Sequence, residues 1–250
     1  MSARRCRAIL IFAVAACLAA ATGSAARAQD AAVDEVLDKM GEKLATIKDL
    51  HVTFKVTKFD AVFEEKSFLR IEFWHRKPHD TKVDTYRKRR GVERHTQQVI
   101  IGEDHVTRVW PKTRHGERRK VDPKEMDRLR KDRNDPLTFL SRKPDDLKKD
   151  FNVKLLTPSK PGTSKLRITP KRKDVPFDYA AVELTVDRRT WLPSSIKSIA
   201  KGEEPDWSLY EVQRFRINSG LTDAHFKPLP GVTIEEVKEK KQDEKKEAGK

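Results

Sequence analysis

Strict alternation of apolar and polar residues is the feature that most constrains how this chain folds. The segments "HVTFKVTKF" (51–59) and "SFLRIEFWHR" (67–76) carry it most clearly. Successive side chains of a strand point to opposite faces of a sheet, so this period predicts strands with one buried face, as in antiparallel sheets. The apolar positions of the two segments are Val52, Phe54, Val56, Leu69, Ile71 and Phe73.

Further short segments of the same kind follow as far as residue 217, separated by turn residues such as Pro161-Gly162. Many short strands separated by turns indicate one continuous antiparallel sheet or barrel. The segment "DPKEMDRLRKDRNDPLTFL" (122–140) interrupts the strands. It predicts one or two short helices, broken at Pro136.

The segment "AAVDEVLDKMGEKLATIKDL" (31–50) has a different period, with apolar residues at steps of three and four. That spacing predicts an amphipathic helix before the first strand. A helix packed on a curved sheet covers one of its faces. The predicted fold class is therefore α+β: a mostly antiparallel, half-open β-barrel with an N-terminal helix and a short helical insertion covering its concave face. Such a half-barrel can enclose an apolar cavity.

The first 28 residues have the layout of a bacterial secretory signal peptide. Three arginines precede "AILIFAVAACLAAA", an apolar stretch shorter than the roughly 20 residues that span a bilayer. The small residues of "ARA" end at Ala28, which predicts cleavage there and Gln29 as the first mature residue. We therefore expect a periplasmic protein with a signal at 1–28, one folded domain at 29–237 and a charged, disordered tail at 238–250.

A second processing site competes with this one. The segment "VAAC" (14–17) is similar to a lipobox, in which Cys17 would be lipidated and would anchor the protein to the envelope. Cys6 and Cys17 are the two cysteines of the chain. Cleavage after Ala28 would remove both, leaving no disulfide and no thiol nucleophile.

The charge of the chain is strongly positive and unevenly placed. The formal net charge is +15, and residues 70–133 contain 20 Lys and Arg against 11 Asp and Glu. A basic surface attracts polyanions by its summed potential. Because export separates the protein from nucleic acid, we expect an anionic membrane surface or an envelope polymer as partner, and no nucleic acid.

Motifs for catalysis are missing from the sequence. It contains no Gly-x-Ser-x-Gly, His-Glu-x-x-His or Gly-x-Gly-x-x-Gly segment and no P-loop. His75 and His79 are separated by Pro78 in a strand-and-turn segment, which argues against a helical metal pair. We therefore expect no catalytic residue, no metal and no cofactor, with a hydrolase of unrecognised site as the remaining enzyme alternative.

Three stretches together resemble the LolA-like family of outer-membrane lipoprotein carriers, which also includes an anchored acceptor and a stress-signalling regulator. They are "VLDKMGEKLATIKDLHVTFKVTKF", "FLRIEFWHRKPHD" and "NSGLTDAHFKPLPGVTI", and their order holds over about residues 33–237. The last stretch resembles the family's closing motif. It implies that Phe226 anchors inward and that Val232 and Ile234 return to the core.

The resemblance implies that the interior of the half-barrel receives lipoprotein acyl chains. The six apolar strand positions named above are then the candidate cavity residues, although alternation alone is equally consistent with a filled core. The family's basic residue before a proline, which ties a lid to the barrel, matches Lys77, with Arg76 beside it. A plain solvated charge is the alternative at that position.

The predicted function is that of a non-enzymatic, monomeric periplasmic binder or carrier of lipoprotein acyl chains or lipids. The alternative is an envelope protein anchored through Cys17, which senses or scaffolds through its basic face.

Overall fold

The computed structural model describes residues 29–131, 144–157, 160–172 and 177–237. The predicted signal peptide with Cys17, the position Pro136 and the predicted tail at 238–250 lie outside these ranges. The division into signal, domain and tail therefore stays a prediction.

Twelve strands form a single sheet in the described part of the chain. A helix at residues 29–45, α1, precedes them, and two short helices lie between β6 and β7. The elements are β1 (Asp49–Asp60), β2 (Glu65–Arg76), β3 (Asp80–Arg89), β4 (Val92–Ile101), β5 (His105–Trp110), β6 (His115–Lys120), α2 (Pro123–Lys131), α3 (Pro144–Asp150), β7 (Phe151–Leu156), β8 (Thr163–Pro170), β9 (Tyr179–Asp187), β10 (Leu192–Ala200), β11 (Trp207–Ile217) and β12 (Thr233–Val237).

The strand order is β12-β6-β5-β4-β3-β2-β1-β11-β10-β9-β8-β7. Neighbouring strands are antiparallel except β12, which lies parallel to β6. The sheet does not close, since β7 and β12 are its two edges. The predicted fold class, a half-open and mostly antiparallel barrel with an N-terminal helix and a short helical insertion, is confirmed.

Helix α1 covers the centre and one side of the sheet, on what we call the helix face. Its apolar stripe includes Leu37 and Met40, which are fully buried against β1 residues such as Phe54. The same core extends over β8, β9 and β10 through Leu166, Leu184 and their neighbours. Burying one such side chain contributes about 1.5–3 kcal/mol, so this contact holds α1 on the sheet.

Helix α2 covers the other side of the helix face. Met126 and Val121 are buried against Ile101, with Val99 and Val106 packed around them. Asp122 caps the helix, because its Oδ1 accepts the backbone N–H groups of Lys124 and Glu125. The predicted insertion therefore does form a helix over the sheet.

Residues 218–232, which we call the crossing segment, run over the opposite, outer face. They leave β11 beside β1 and reach β6, where β12 begins. The N–H of Leu229 donates to Gln98 on the way. At the far end Ile234 lies on Gly116, where an added Cβ would come within 2.6 Å of its Cδ1.

The prediction that Phe226 anchors inward is wrong. Phe226 is only partly buried, in a short 3-10 turn that contains no buried residue. Its ring lies under the guanidinium of Arg76 on the outer face, 5.0 Å away. Val232 and Ile234 are likewise partly buried rather than part of the main core. The closing motif thus covers the outside of the sheet instead of filling its inside.

Candidate functional site: the helix face of β1–β4

The structure brings the six predicted cavity residues together on the helix face. β1 and β2 are antiparallel neighbours, and their register places the two apolar sets opposite each other. The pairs are Val52 with Phe73, Phe54 with Ile71, and Val56 with Leu69.

These residues nevertheless fall into two groups. Val52, Phe54 and Val56 are fully buried beneath α1, and Leu69 is 8% exposed. Ile71 and Phe73 are only partly buried and border the same core. The difference arises because α1 lies over β1 and leaves the middle of β2 at its edge.

The half-buried apolar surface continues from β2 onto the next two strands. Phe73 pairs with Val83, which pairs with Val99. Both valines are partly buried, and Val99 borders the core under α2. We call Ile71, Phe73, Val83 and Val99 the apolar floor. It lies between the cores formed by the two helices.

Lys77 connects β2 to the end of α1. Its Nζ donates to the carbonyl oxygens of Ala45 at 3.2 Å and Leu44 at 3.5 Å. The last carbonyls of a helix have no partner within the helix and carry partial negative charge, so an ammonium group stabilises them. Lys77 therefore fastens the last turn of α1 to the sheet beside the apolar floor.

Arg76, the second predicted gating residue, binds carboxylates on the outer face of the sheet. Its Nε donates to Asp80 at 3.0 Å, and its Nη2 donates to Asp223 in the crossing segment at 2.7 Å. Hydrogen bonds with these two carboxylates raise the pKa of Arg76. Consecutive strand residues point in opposite directions, so Arg76 holds the crossing segment while Lys77 holds α1.

Asp49 and Asn218 are structural residues that the sequence analysis missed. Asn218 accepts the N–H of Lys48 at 2.7 Å and donates to the carbonyl of Thr46. Asp49 accepts hydrogen bonds from the residues that follow Asn218. The Asn-Ser-Gly triplet at 218–220 was a sequence signal for a turn, because glycine and asparagine adopt positive φ more readily than other residues. Asn218 and Gly220 both have positive φ in the structure.

The outer face carries polar groups that pair with one another. The Gln98 amide donates to Asp84 at 2.9 Å, and both side chains are buried. Trp74 stacks on His51 with 4.6 Å between ring centroids, and Lys82 lies over the same Trp74 ring. Since the crossing segment and these pairs occupy the outer face of β1–β5, the helix face offers the more apolar surface to a ligand.

No group of three or more His, Cys, Asp and Glu side chains that could hold a metal ion occurs among the described residues. His75, one of the two histidines considered above, contacts the hydroxyl of Thr81 at 3.1 Å.

None of the helices within the described ranges combines the length and apolar character needed to cross a membrane.

Comparison with solved structures finds the same fold in another protein. An uncharacterised conserved protein from Thermus thermophilus matches over 82% of this chain and 99% of its own, with 12% identity and a TM-score of 0.51. The two proteins therefore share a fold. An N-terminal helix packed on an open antiparallel half-barrel is the architecture that the sequence resemblance implied.

Two further matches have lower TM-scores. A LolA superfamily protein from Nitrosomonas europaea matches over 78% of this chain and 97% of its own, with 13% identity and a TM-score of 0.38. MucB matches over 80% of this chain and 64% of its own, with 16% identity and a TM-score of 0.45. At such identities the likeness concerns the fold alone. No protein-family model matches the chain, and no curated protein sequence compared with it does either.

Proposed function

We propose that the protein is a periplasmic, non-enzymatic binder or carrier of the acyl chains of lipoproteins or lipids, held on the helix face. The observation that carries this proposal is the apolar floor, four half-buried side chains between two helix-covered cores. Each acyl methylene buried there would contribute about 0.8 kcal/mol. A chain of ordinary length could thus be bound without any chemical step.

The proposal gives different roles to the two groups of predicted cavity residues. Ile71 and Phe73 contact the ligand first, together with Val83 and Val99. Val52, Phe54, Val56 and Leu69 become available only if α1 moves away from the sheet. Lys77 then acts as the gating residue, because its two hydrogen bonds hold the last turn of α1. Arg76 has no part in this gate.

The test uses protein purified from the periplasmic fraction of cells expressing the full sequence. Native mass spectrometry is recorded before and after addition of a palmitoylated peptide. We expect one bound acyl ligand for the natural sequence and none for Ile71→Glu. The matched control is Phe68→Glu, which places the same charge on the same strand, but at an outer-face position that is 52% exposed. Its binding should equal that of the natural sequence.

Three results would overturn the proposal. They are no binding of the palmitoylated peptide by the natural sequence, an equal loss of binding in Ile71→Glu and Phe68→Glu, or no loss of binding in either variant. Circular dichroism establishes that the variants are folded. If Ile71→Glu does not fold, Val83→Ser at the next strand provides a milder change to the same floor. Size-exclusion chromatography with light scattering on the same samples tests the proposed monomer.

Anchoring through Cys17 is the alternative to a soluble carrier, and the lipobox-like "VAAC" favours it. The anchored protein would sense or scaffold through its basic face. Intact-mass measurement separates the two proposals. A chain that begins at Gln29 supports the soluble carrier, whereas an acylated chain that begins at Cys17 supports the anchored protein.

A further inference from the structure

Two arginines lie directly opposite each other on the helix face. The register of β3 and β4 pairs Arg87 with Arg94, and both side chains are exposed. Arg87 also pairs with Leu69 on β2, which places the two arginines on the same face as the apolar floor. Like charges at directly opposed positions of an antiparallel pair destabilise the sheet. The arrangement therefore costs some stability, and an anion bound between the two groups would offset that cost.

Neither arginine has a salt bridge to any of the described residues, whereas an arginine on the outer face of the neighbouring strand β2 is paired. There, Arg70 binds the carboxylates of Glu72 and Glu93, with 2.8 Å between its Nη2 and Glu93 Oε2. Its guanidinium also lies over the ring of Tyr86, 3.8 Å from the centroid. The outer face thus supplies carboxylates for Arg70, whereas among the described residues the helix face supplies none for Arg87 and Arg94.

The distance from this pair to the apolar floor suits a single ligand. Arg87 lies four residues from Val83 along β3 on the same face, which corresponds to about 13 Å at 3.3 Å per residue. Thr85 and Gln97, which pair with each other, fill the space between. Along this line the surface changes from apolar to polar to cationic. This order is complementary to an amphiphile that has an acyl chain, a polar linker and an anionic headgroup.

We propose that Arg87 and Arg94 form a binding site for the anionic headgroup of an acyl lipid whose chain lies on the apolar floor. Guanidinium groups suit this role because their planar N–H forks match the oxygens of phosphate and carboxylate in two parallel hydrogen bonds. The inference rests on the proposed function and makes it more specific. It assigns a negatively charged amphiphile as the ligand class and gives the orientation in which it binds.

The test compares two ligands with the same chain, palmitoyl glycerol phosphate and the neutral monopalmitoyl glycerol, by titration calorimetry below their critical micelle concentrations. The natural sequence should bind the phosphate form about tenfold more tightly, which corresponds to about 1.4 kcal/mol. The double variant Arg87→Gln/Arg94→Gln should bind both ligands equally, with the affinity that the natural sequence has for monopalmitoyl glycerol.

The matched control is Lys88→Gln, an exposed residue between them in sequence whose pairing with Glu93 puts it on the outer face. Lys88→Gln should keep the preference for palmitoyl glycerol phosphate over the neutral ligand. A loss of that preference would overturn the two-arginine site and would indicate that the overall positive charge of the surface attracts the ligand. Equal affinity of the natural sequence for both ligands would overturn this inference and leave the acyl-chain proposal intact. Binding of neither ligand would overturn both.

Inorganic phosphate separates a lipid headgroup from a free anion as the source of the bound group. We expect millimolar phosphate to leave the affinity for palmitoyl glycerol phosphate almost unchanged. Tight binding of phosphate alone, abolished by Arg87→Gln/Arg94→Gln, would overturn the assignment of an amphiphile.

Discussion

The carboxylate of Asp49 accepts the backbone N–H of Ser219 at 2.7 Å, across 170 residues of sequence. The Ser219 hydroxyl donates to the same oxygen at 3.1 Å, and the N–H of Gly220 donates to the other oxygen at 3.0 Å. Burial alone would raise the pKa of Asp49, but these hydrogen bonds outweigh it and lower the pKa. One buried carboxylate therefore determines where the chain leaves β11 and begins to cross the outer face.

Replacing Asp49 should loosen this junction. Asp49→Asn removes the charge and directs an amide N–H₂ at groups that are themselves donors. We expect the free energy of unfolding at pH 7 to fall by about 1–3 kcal/mol, measured by urea denaturation. Asp60→Asn is the control, because Asp60 caps the exposed turn at Val62 and Phe63 in a similar way. A loss as large in the control would contradict a special role for Asp49.

Asp49 should also make the free energy of unfolding depend on pH. The folded pKa of Asp49 lies below its ordinary value of 3.8. Its stabilising contribution is therefore complete above that ordinary value and is lost as pH falls through the folded pKa. The difference in unfolding free energy between the natural sequence and Asp49→Asn should be constant from pH 7 to 5 and shrink below pH 4. A difference that stays constant in acid would contradict the assignment.

Lys77 should control the last turn of α1. Lys77→Met removes both hydrogen bonds to the helix carbonyls, whereas Lys77→Arg can restore them. We expect Lys77→Met to lower stability by about 0.3–1 kcal/mol and to speed amide hydrogen exchange at the C-terminal end of α1. Lys48→Met, an exposed lysine in the turn that follows α1, should leave the exchange unchanged. Exchange that is equal in all three variants would argue against Lys77 as the gate.

Phe54 and Phe68 provide a direct test of which aromatic residues belong to the core. Phe54 is 1% exposed beneath α1, and Phe68 is 52% exposed on the outer face of β2. Phe54→Ala should lower the free energy of unfolding by about 3–5 kcal/mol. Phe68→Ala should change it by less than about 0.5 kcal/mol. Similar losses in chemical denaturation would show that α1 does not cover β1 as described.

His51 should make the protein less stable in mild acid. Burial lowers the pKa of His51, and the nearby cations Arg216 and Lys82 lower it further. Its Nε2 is buried without a hydrogen-bond partner in the described part of the chain, since Glu72 lies 3.9 Å away. The unfolded chain therefore takes up the proton more readily, and stability falls as pH drops below the ordinary histidine value of 6.5.

His51→Phe should remove that part of the pH dependence, because phenylalanine can stack on Trp74 but cannot be protonated. The measurement is the free energy of unfolding at pH 7.5 and pH 5.5 for the natural sequence and the variant. We expect the variant to lose less stability between the two values. An equal loss in both proteins would contradict a buried, neutral His51.

The sequence determined the local elements and the faces of its central strands. A period of two residues places Val52, Phe54 and Val56 on one side of β1, and a period near four places Leu37 and Met40 on one side of α1. Both follow from backbone geometry within a few residues. The half-barrel class was therefore predictable, as was the meeting of the β1 and β2 apolar positions.

Only the tertiary structure decided which of these positions are covered. Phe54 and Phe73 have equivalent patterns in the sequence, yet α1 buries the first and leaves the second partly open. Coverage depends on how segments far apart in sequence pack, which periodicity does not encode. For the same reason the sequence did not place Phe226 correctly: the crossing segment is held on the outer face by Asp49 and Arg76, from strands more than 140 residues earlier.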